Sequence, residues 1–164
     1  MNMPHMPRLT AELAILLHTQ RVAALGTLDA QGLPFVSMVP YAIAMEPGVL
    51  VLHVSGLAAH TGNMERSPVV SAMVMRAEVA GAPVHALQRV TLGARAETLG
   101  AGHTLYSACR SAYLQRFPDA EPMTALPDFR FVALHLLQAR QVAGFGAARS
   151  VDADTLQEAL RTLP

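Results

Sequence analysis

The feature that most constrains the fold is a series of short strand-like segments separated by tight turn signals. Residues 22–28 have a strand pattern and end at Asp-Ala-Gln-Gly, residues 29–32, which is typical of a turn. The pattern resumes over residues 33–43, stops at Glu-Pro-Gly, residues 46–48, and returns over residues 49–54. Because strands joined by such short connections pair in antiparallel fashion, this region predicts an antiparallel sheet.

Further strands and single helices are predicted along the rest of the chain. The clearest alternation of apolar and polar residues runs over residues 88–98 and predicts a long strand with one dry face. The other predicted strands are residues 69–75, 129–137 and 141–143, and the predicted helices are residues 10–19, 57–66, 103–117 and a last one ending at Leu160. Thr10 is the expected N-cap of the first helix, and Asp152 or Asp154 that of the last.

Six or seven mostly antiparallel strands with helices inserted singly favour a barrel or a sandwich over a parallel α/β sheet. No internal repeat or linker is visible, so we expect one domain over residues 1–164. Hydrophobic residues make up 52% of the chain and charged residues 15%. This composition is apolar for a soluble monomer, so we expect some apolar surface to be buried against a partner, most simply a second copy of the chain.

Several classes of protein are excluded by composition. Twelve basic and twelve acidic residues cancel, and no basic stripe is present, so nucleic acid is not an expected partner. The single cysteine, Cys109, permits neither an internal disulfide nor a thiolate zinc site, and we expect it to be a core residue. Residues 1–10 are unlike a signal peptide, and the apolar run 35–54 is interrupted by Pro40, Glu46 and Pro47. We therefore expect a cytoplasmic protein with no membrane partner.

No catalytic motif stands out. There is no Gly-x-Ser-x-Gly element, and the seven histidines lack the paired spacing of a metal site, so no metal is predicted. Gly144-Phe145-Gly146 begins like a dinucleotide-binding motif but lacks the third glycine and its βαβ context. It is more typical of a strand end where small residues let a backbone or a ligand approach.

One strand-to-helix junction is a candidate anion site. The strand at residues 49–54 leads through Ser55-Gly56 to a helix start that contains His60, Thr61 and Asn63. A helix N-terminus presents unpaired amides and a positive dipole end, which favour phosphate, and these side chains add donors. The alternative is an ordinary helix N-cap, which the spacing alone favours.

Taken together, several segments carry a resemblance to a known family. They are GTLDAQGLPFVSMVPY (26–41), LAAHTGNMERSP (57–68), RVTLG (89–93) and GFG (144–146) leading into VDAD (151–154). In this order they resemble the pyridoxamine 5'-phosphate oxidase-like FMN-binding split-barrel family, nearest its haem-utilisation, HugZ-like branch. The resemblance implies a mainly β fold: a six-stranded antiparallel split β-barrel with flanking helices, forming a homodimer with FMN at the interface.

The resemblance also implies which residues bind the cofactor. The family residues that border the flavin correspond to Val39, Pro40 and Tyr41, and the family's Ser/Thr at the strand end corresponds to Ser55. The family residues that bind the phosphate at the helix start correspond to His60, Thr61 and Asn63. A strand glutamine that contacts FMN in the family corresponds to Gln88, beside Arg89. The adjacent Arg-Lys of the family's oxidases is Ala59-His60 here. The implied function is that of a flavin-dependent, oxidoreductase-type protein whose substrate and catalytic side chains the sequence does not identify.

An alternative function follows from the haem-utilisation branch. The chain would then be a non-catalytic module that binds haem or another small ligand and has lost flavin. His53, His85 and His103 are the candidate haem ligands. A third alternative is a split-barrel dimer with an empty cleft.

Overall fold

The computed structural model describes residues 6–163, which form a curled antiparallel sheet with flanking helices. The helices are α1 (Arg8–Thr19), α2 (Ala59–Arg66), α3 (Tyr106–Arg116) and α4 (Ala153–Arg161). The strands are β1 (Val22–Leu28), β2 (Pro34–Pro40), β3 (Ala42–Ala44), β4 (Val49–Ser55), β5 (Val69–Met75), β6 (Arg89–Leu99), β7 (Phe129–Val142) and β8 (Ala148–Val151). Short 3-10 turns lie at Val84–Ala86 and Pro118–Ala125.

The sheet has the order β2-β1-β5-β6-β7-β4-β3, with β8 paired to β7, and every pairing within it is antiparallel. The path closes most of a barrel, and its two ends, β2 and β3, are not hydrogen-bonded neighbours. Helix α2 packs against β1 and β2 beside this opening. The antiparallel split barrel with flanking helices expected from the sequence is confirmed.

The part of the chain that the structure describes contains eight strands, where six or seven were expected from the pattern and six from the resemblance. The predicted strand 33–43 is divided at Tyr41, where the chain leaves its pairing with β1 and begins to pair with β4. The predicted strands 129–137 and 141–143 are one continuous strand, β7, which bends at a bulge opposite Gly93. Strand β8 was not predicted, because its four residues have no clear alternation.

Helix boundaries differ from prediction at the N-termini. Helix α1 begins at Arg8 after Pro7, so Thr10 is not its N-cap; Thr10 lies buried in the first turn. Helix α3 begins three residues later than predicted, because His103 bonds back to Gly100 in a turn. Asp152, one of the two residues expected to cap α4, is its N-cap. Its side chain accepts a hydrogen bond from the amide of Thr155 at 2.8 Å.

Two hydrophobic clusters hold the sheet. The first fills the barrel interior and is closed by α1 and α4, with Leu13, Leu17, Leu156 and Leu160 fully buried. The second lies on the outer face, between β4, β7 and helix α3, and contains Cys109 at 0% exposure. Cys109 is therefore a core residue, as predicted. None of the helices within residues 6–163 is both long and apolar enough to cross a membrane.

Candidate functional site

Ser55 ends strand β4 and organises the turn that leads into α2. Its hydroxyl donates to a carboxylate oxygen of Asp128 at 2.8 Å and accepts from the amide of Leu57 at 3.1 Å. Its carbonyl accepts from the hydroxyl of Thr61 at 2.6 Å. These bonds make Ser55 the residue that sets the direction of the helix start.

Thr61 and Asn63 are buried within the subunit, at 2% and 3% exposure. The Asn63 amide donates to the Thr27 hydroxyl at 2.9 Å, and its oxygen accepts from Arg66 at 2.6 Å. With the Thr61 hydroxyl bonded to Ser55, both side chains fasten α2 to the sheet. Their polar groups are committed to this packing and do not point to an external phosphate.

His60 differs from these neighbours because it is only half-buried. Its Nδ1 lies 3.1 Å from the hydroxyl of Ser37 on β2, and within residues 6–163 no group is hydrogen-bonded to its Nε2. Burial lowers the pKa of His60 below its usual value, so the ring is neutral at neutral pH. The structure therefore presents a neutral imidazole with one nitrogen oriented and the other available.

The α2 start provides little charge for an anion. Its first turn carries Ala59 and His60 and no lysine or arginine. The nearest arginine along the helix, Arg66, is in the last turn, and its guanidinium is engaged by Asn63. An anion here would meet the helix amides and a neutral ring, without a permanent cation from the helix start.

Two of the three residues that the sequence analysis placed along the flavin are buried. Val39 is 2% exposed, and Tyr41 is fully buried in the first cluster. The Tyr41 hydroxyl donates to the carbonyl of Leu17 in α1 at 2.7 Å. Pro40, between them, is exposed.

Gln88 and Arg89 lie at the opposite end of the sheet from Ser55. Arg89 pairs with Val142, the last residue of β7, whereas Ser55 pairs with Phe129, the first. A strand of this length has a contour of about 40 Å. Within one copy of the chain the two groups do not meet, so a shared site requires a second copy.

Sequence analysis missed a shallow trough on the outer face of the sheet. Gly26, Ser71, Gly93 and Gln138 are successive partners across β1, β5, β6 and β7. A methyl group would lie 3.5 Å from the Ser71 carbonyl oxygen at Gly26 and 3.4 Å from the Gln138 side chain at Gly93, both ordinary contacts. Packing within the chain thus does not demand glycine, and the missing side chains leave room for something outside it.

Around this trough the sheet face is polar on one side and apolar on the other. Beyond Gly93 it opens into a cleft of about 870 Å³ that reaches Arg140 and Ser150. On the other side the strands carry large uncovered apolar side chains. They are Val22, Leu28, Val36, Met38, Val69 and Met75, exposed by 41–67%. We call these six residues the outer apolar face.

Comparison with known proteins places these features in a family. A family model described as Pyridoxamine 5'-phosphate oxidase matches residues 9–143. The chain belongs to this family. It lies near the HutZ branch: it is 31% identical to Heme oxygenase HutZ of Vibrio cholerae over 150 residues, which are 91% of this chain and 84% of that protein.

Solved structures agree with this assignment. A heme-binding protein of Mycobacterium smegmatis matches with a TM-score of 0.82 and 28% identity, covering 93% of this chain. The chain spans 61% of the length of that protein. The heme storage protein HutZ of Vibrio cholerae matches with a TM-score of 0.70 and 27% identity, over 78% of this chain and 89% of that one.

The candidate haem ligands named from the sequence have different surroundings in this family member. His103 is held by Glu97 at 3.0 Å and accepts from the amide of Leu105. His85 is exposed in the loop before β6. His53 is buried in a stack of aromatic rings. His60, assigned to the phosphate from the sequence, contacts the side chain of Ser37 on β2, which lies on the opposite face of the strand from Val36 and Met38.

Tyr41 offers a test that separates packing from cofactor contact. We expect Tyr41→Phe to lower the free energy of unfolding by about 1–2 kcal/mol, because the Leu17 carbonyl in the last turn of α1 loses its partner. Chemical denaturation measures this value. Tyr106→Phe is the matched control, since no hydrogen bond from its hydroxyl occurs within residues 6–163. Equal stability of the two variants would contradict the assigned role.

Proposed function

We propose that this protein binds haem in a cleft formed between two copies of the chain, with His60 as the residue that ligates the iron. The observation that carries the proposal is the surroundings of His60: a neutral ring with its Nε2 available, beside uncovered apolar side chains. Leu57, three residues earlier, is 89% exposed, and Phe35, on the same face of β2 as Ser37, is 39% exposed. An apolar surface of this kind accommodates a tetrapyrrole, and an imidazole nitrogen is a common protein ligand of its iron.

The Ser37 contact supports a ligand role for His60. When Nδ1–H donates to the Ser37 hydroxyl, Nε2 keeps its lone pair, and the ring is fixed in one orientation. The lowered pKa of His60 keeps that lone pair free of a proton at neutral pH. Bound haem would supply an iron centre for oxygen or electron-transfer chemistry, and the chain would hold and shield it.

The outer apolar face supports the dimer in this proposal. Six large apolar side chains on three adjacent strands are more than a stable monomer normally exposes in one patch. A second copy is a natural cover, since most soluble oligomers are symmetric homodimers. It would also bring the Gln88–Arg89 end of one sheet toward a site on the other. We further infer a cytoplasmic location, which suits a chain whose single cysteine is free and buried.

The relatives give independent support for haem. The 31% identical protein is named a heme oxygenase, and two matching structures are named a heme-binding and a heme storage protein. FMN is the second candidate, favoured by the family model and by the amides of Ala59 and His60 in the first turn of α2. The first turn of α2 fits its phosphate poorly. The guanidiniums of Arg66 and Arg130 that lie near it are engaged by Asn63 and Glu65, and the polar side chains of Thr61 and Asn63 are hydrogen-bonded.

Parallel titrations test the two cofactors. We expect haem to give a saturable Soret shift at one haem per chain or per dimer, and added FMN to be retained weakly or not at all after gel filtration. Protein purified without added cofactor provides the reference spectrum. A tight flavin complex without a haem-dependent Soret shift would reverse the order of the two candidates, and a sample that takes up neither would contradict both.

A further inference from the structure

A second pocket lies where α3 and the Pro118–Ala125 turn meet the sheet. Its volume is about 300 Å³, and its walls include Tyr106, Phe129 and Phe131. Thr98 and Thr124 add hydroxyls at its lining. This volume is at the lower end of small-molecule sites, too small for a tetrapyrrole, so the pocket is separate from the proposed haem cleft.

His53 of β4 lines this pocket. The ring is 8% exposed and stacks on Phe131 with centroids 4.5 Å apart, and its centroid lies 5.0 Å from that of Phe129. The stack accounts for the faces of the imidazole. The stacking does not involve the two ring nitrogens, and neither nitrogen has a hydrogen-bond partner within residues 6–163.

Neither nitrogen is among the fully buried unpartnered atoms of residues 6–163, so the polar edge of the ring is accessible to a ligand in the pocket. Burial lowers the pKa of His53, so the ring is neutral and offers one donor and one acceptor. Arg130, also at the pocket, is already paired with Glu65 at 2.6 Å. The pocket therefore contains a neutral polar edge, aromatic walls and no unpaired side-chain charge among its lining residues.

We propose that this pocket binds a small, flat, uncharged heteroaromatic compound of one or two rings, which stacks on the aromatic walls and exchanges hydrogen bonds with His53. Flatness follows from the walls, small size from the volume, and neutrality from the absence of an unpaired charge in the lining. The site does not depend on the haem proposal, since it shares no residue with the surroundings of His60.

Benzimidazole is a suitable probe, because it is a flat two-ring compound with one N–H donor and one ring-nitrogen acceptor. The haem-free protein is titrated while the side-chain nitrogens of its histidines are followed by NMR. We expect saturable shifts of the His53 nitrogens, with a Kd on the order of 0.1–1 mM. His53→Phe keeps an aromatic ring in the stack and removes both nitrogens, so we expect at least a tenfold loss of affinity. His85→Phe, in an exposed loop, is the matched control and should bind as the wild type does.

Each outcome decides the proposal. Saturable shifts at His53 that His53→Phe abolishes support it. If His53→Phe does not fold, the wild-type nitrogen shifts alone decide, because they report contact at His53 directly. Absence of saturable shifts at His53 in the wild type, or equal affinity in a folded His53→Phe, overturns the proposal. Neither result bears on haem binding, which is read separately from the Soret band.

Discussion

Replacing Val36 and Met38 together with glutamate is expected to convert the proposed dimer of about 35 kDa into a monomer of 17.5 kDa. Both side chains lie on the outer apolar face and are already exposed in the single chain, by 67% and 66%. The substitutions therefore cost little folding free energy in a monomer. In a dimer they would bury four carboxylates without partners, which costs several kcal/mol each.

Sedimentation equilibrium at micromolar concentration measures this change. The matched control is Met123→Glu with Leu126→Glu, which places two carboxylates at exposed apolar side chains at the end of the Pro118–Ala125 turn, outside the outer apolar face. We expect the control to remain dimeric, and circular dichroism to show the same fold for both proteins. A wild-type chain that sediments as a monomer would rule out the interface cleft, and a dimeric Val36→Glu, Met38→Glu variant would place the interface elsewhere.

His60→Ala is expected to weaken haem binding by at least tenfold, since the iron would lose its protein ligand. His135→Ala is the control, because the Nε2 of His135 on β7 is hydrogen-bonded to Glu97 and His135 is not a candidate ligand. Ser37→Ala should have a smaller effect, since it removes only the contact that orients the ring. Soret titrations of the four proteins measure the affinities.

The form of the spectrum separates ligation from a structural role. Loss of a histidine ligand changes the position of the Soret band, whereas a packing defect lowers occupancy without moving the band. Unchanged affinity and spectrum in His60→Ala would remove His60 from the site. Because burial lowers the pKa of His60, we also expect haem affinity to hold through pH 6.5 and to fall only at more acidic pH, where the ring becomes protonated.

The arrangement of strands and helices was largely readable from the sequence. Periodicity and turn residues act over a few positions, so they located β1, β4, β5 and β6 almost to the residue. Strand boundaries were predicted wrongly where contacts with residues distant in the sequence determine them. At Tyr41, for example, the chain stops pairing with β1 and begins to pair with β4. The cap at Asp152 was predictable because it depends on a side chain and an amide three residues apart.

The candidate site was less predictable, for a physical reason visible in α2. His60, Thr61 and Asn63 look alike in sequence as polar residues at a helix start. Only packing of α2 on β1 and β2 distinguishes them: Thr61 and Asn63 face the sheet and are hydrogen-bonded, whereas His60 reaches Ser37 with one nitrogen available. The resemblance to the family pointed to this segment, and the tertiary contacts distinguish His60 from its neighbours within it.

By itself, the sequence determined the antiparallel strands, the helices between them, the buried cysteine and the family. The tertiary structure alone decided what faces outward. Gly26, Ser71 and Gly93 are far apart in the chain and become neighbours only through strand register, and the outer apolar face exists only because no element of the described chain covers it. Local patterns report the chemistry of neighbouring residues, but a binding surface is made by residues that the fold brings together from distant strands.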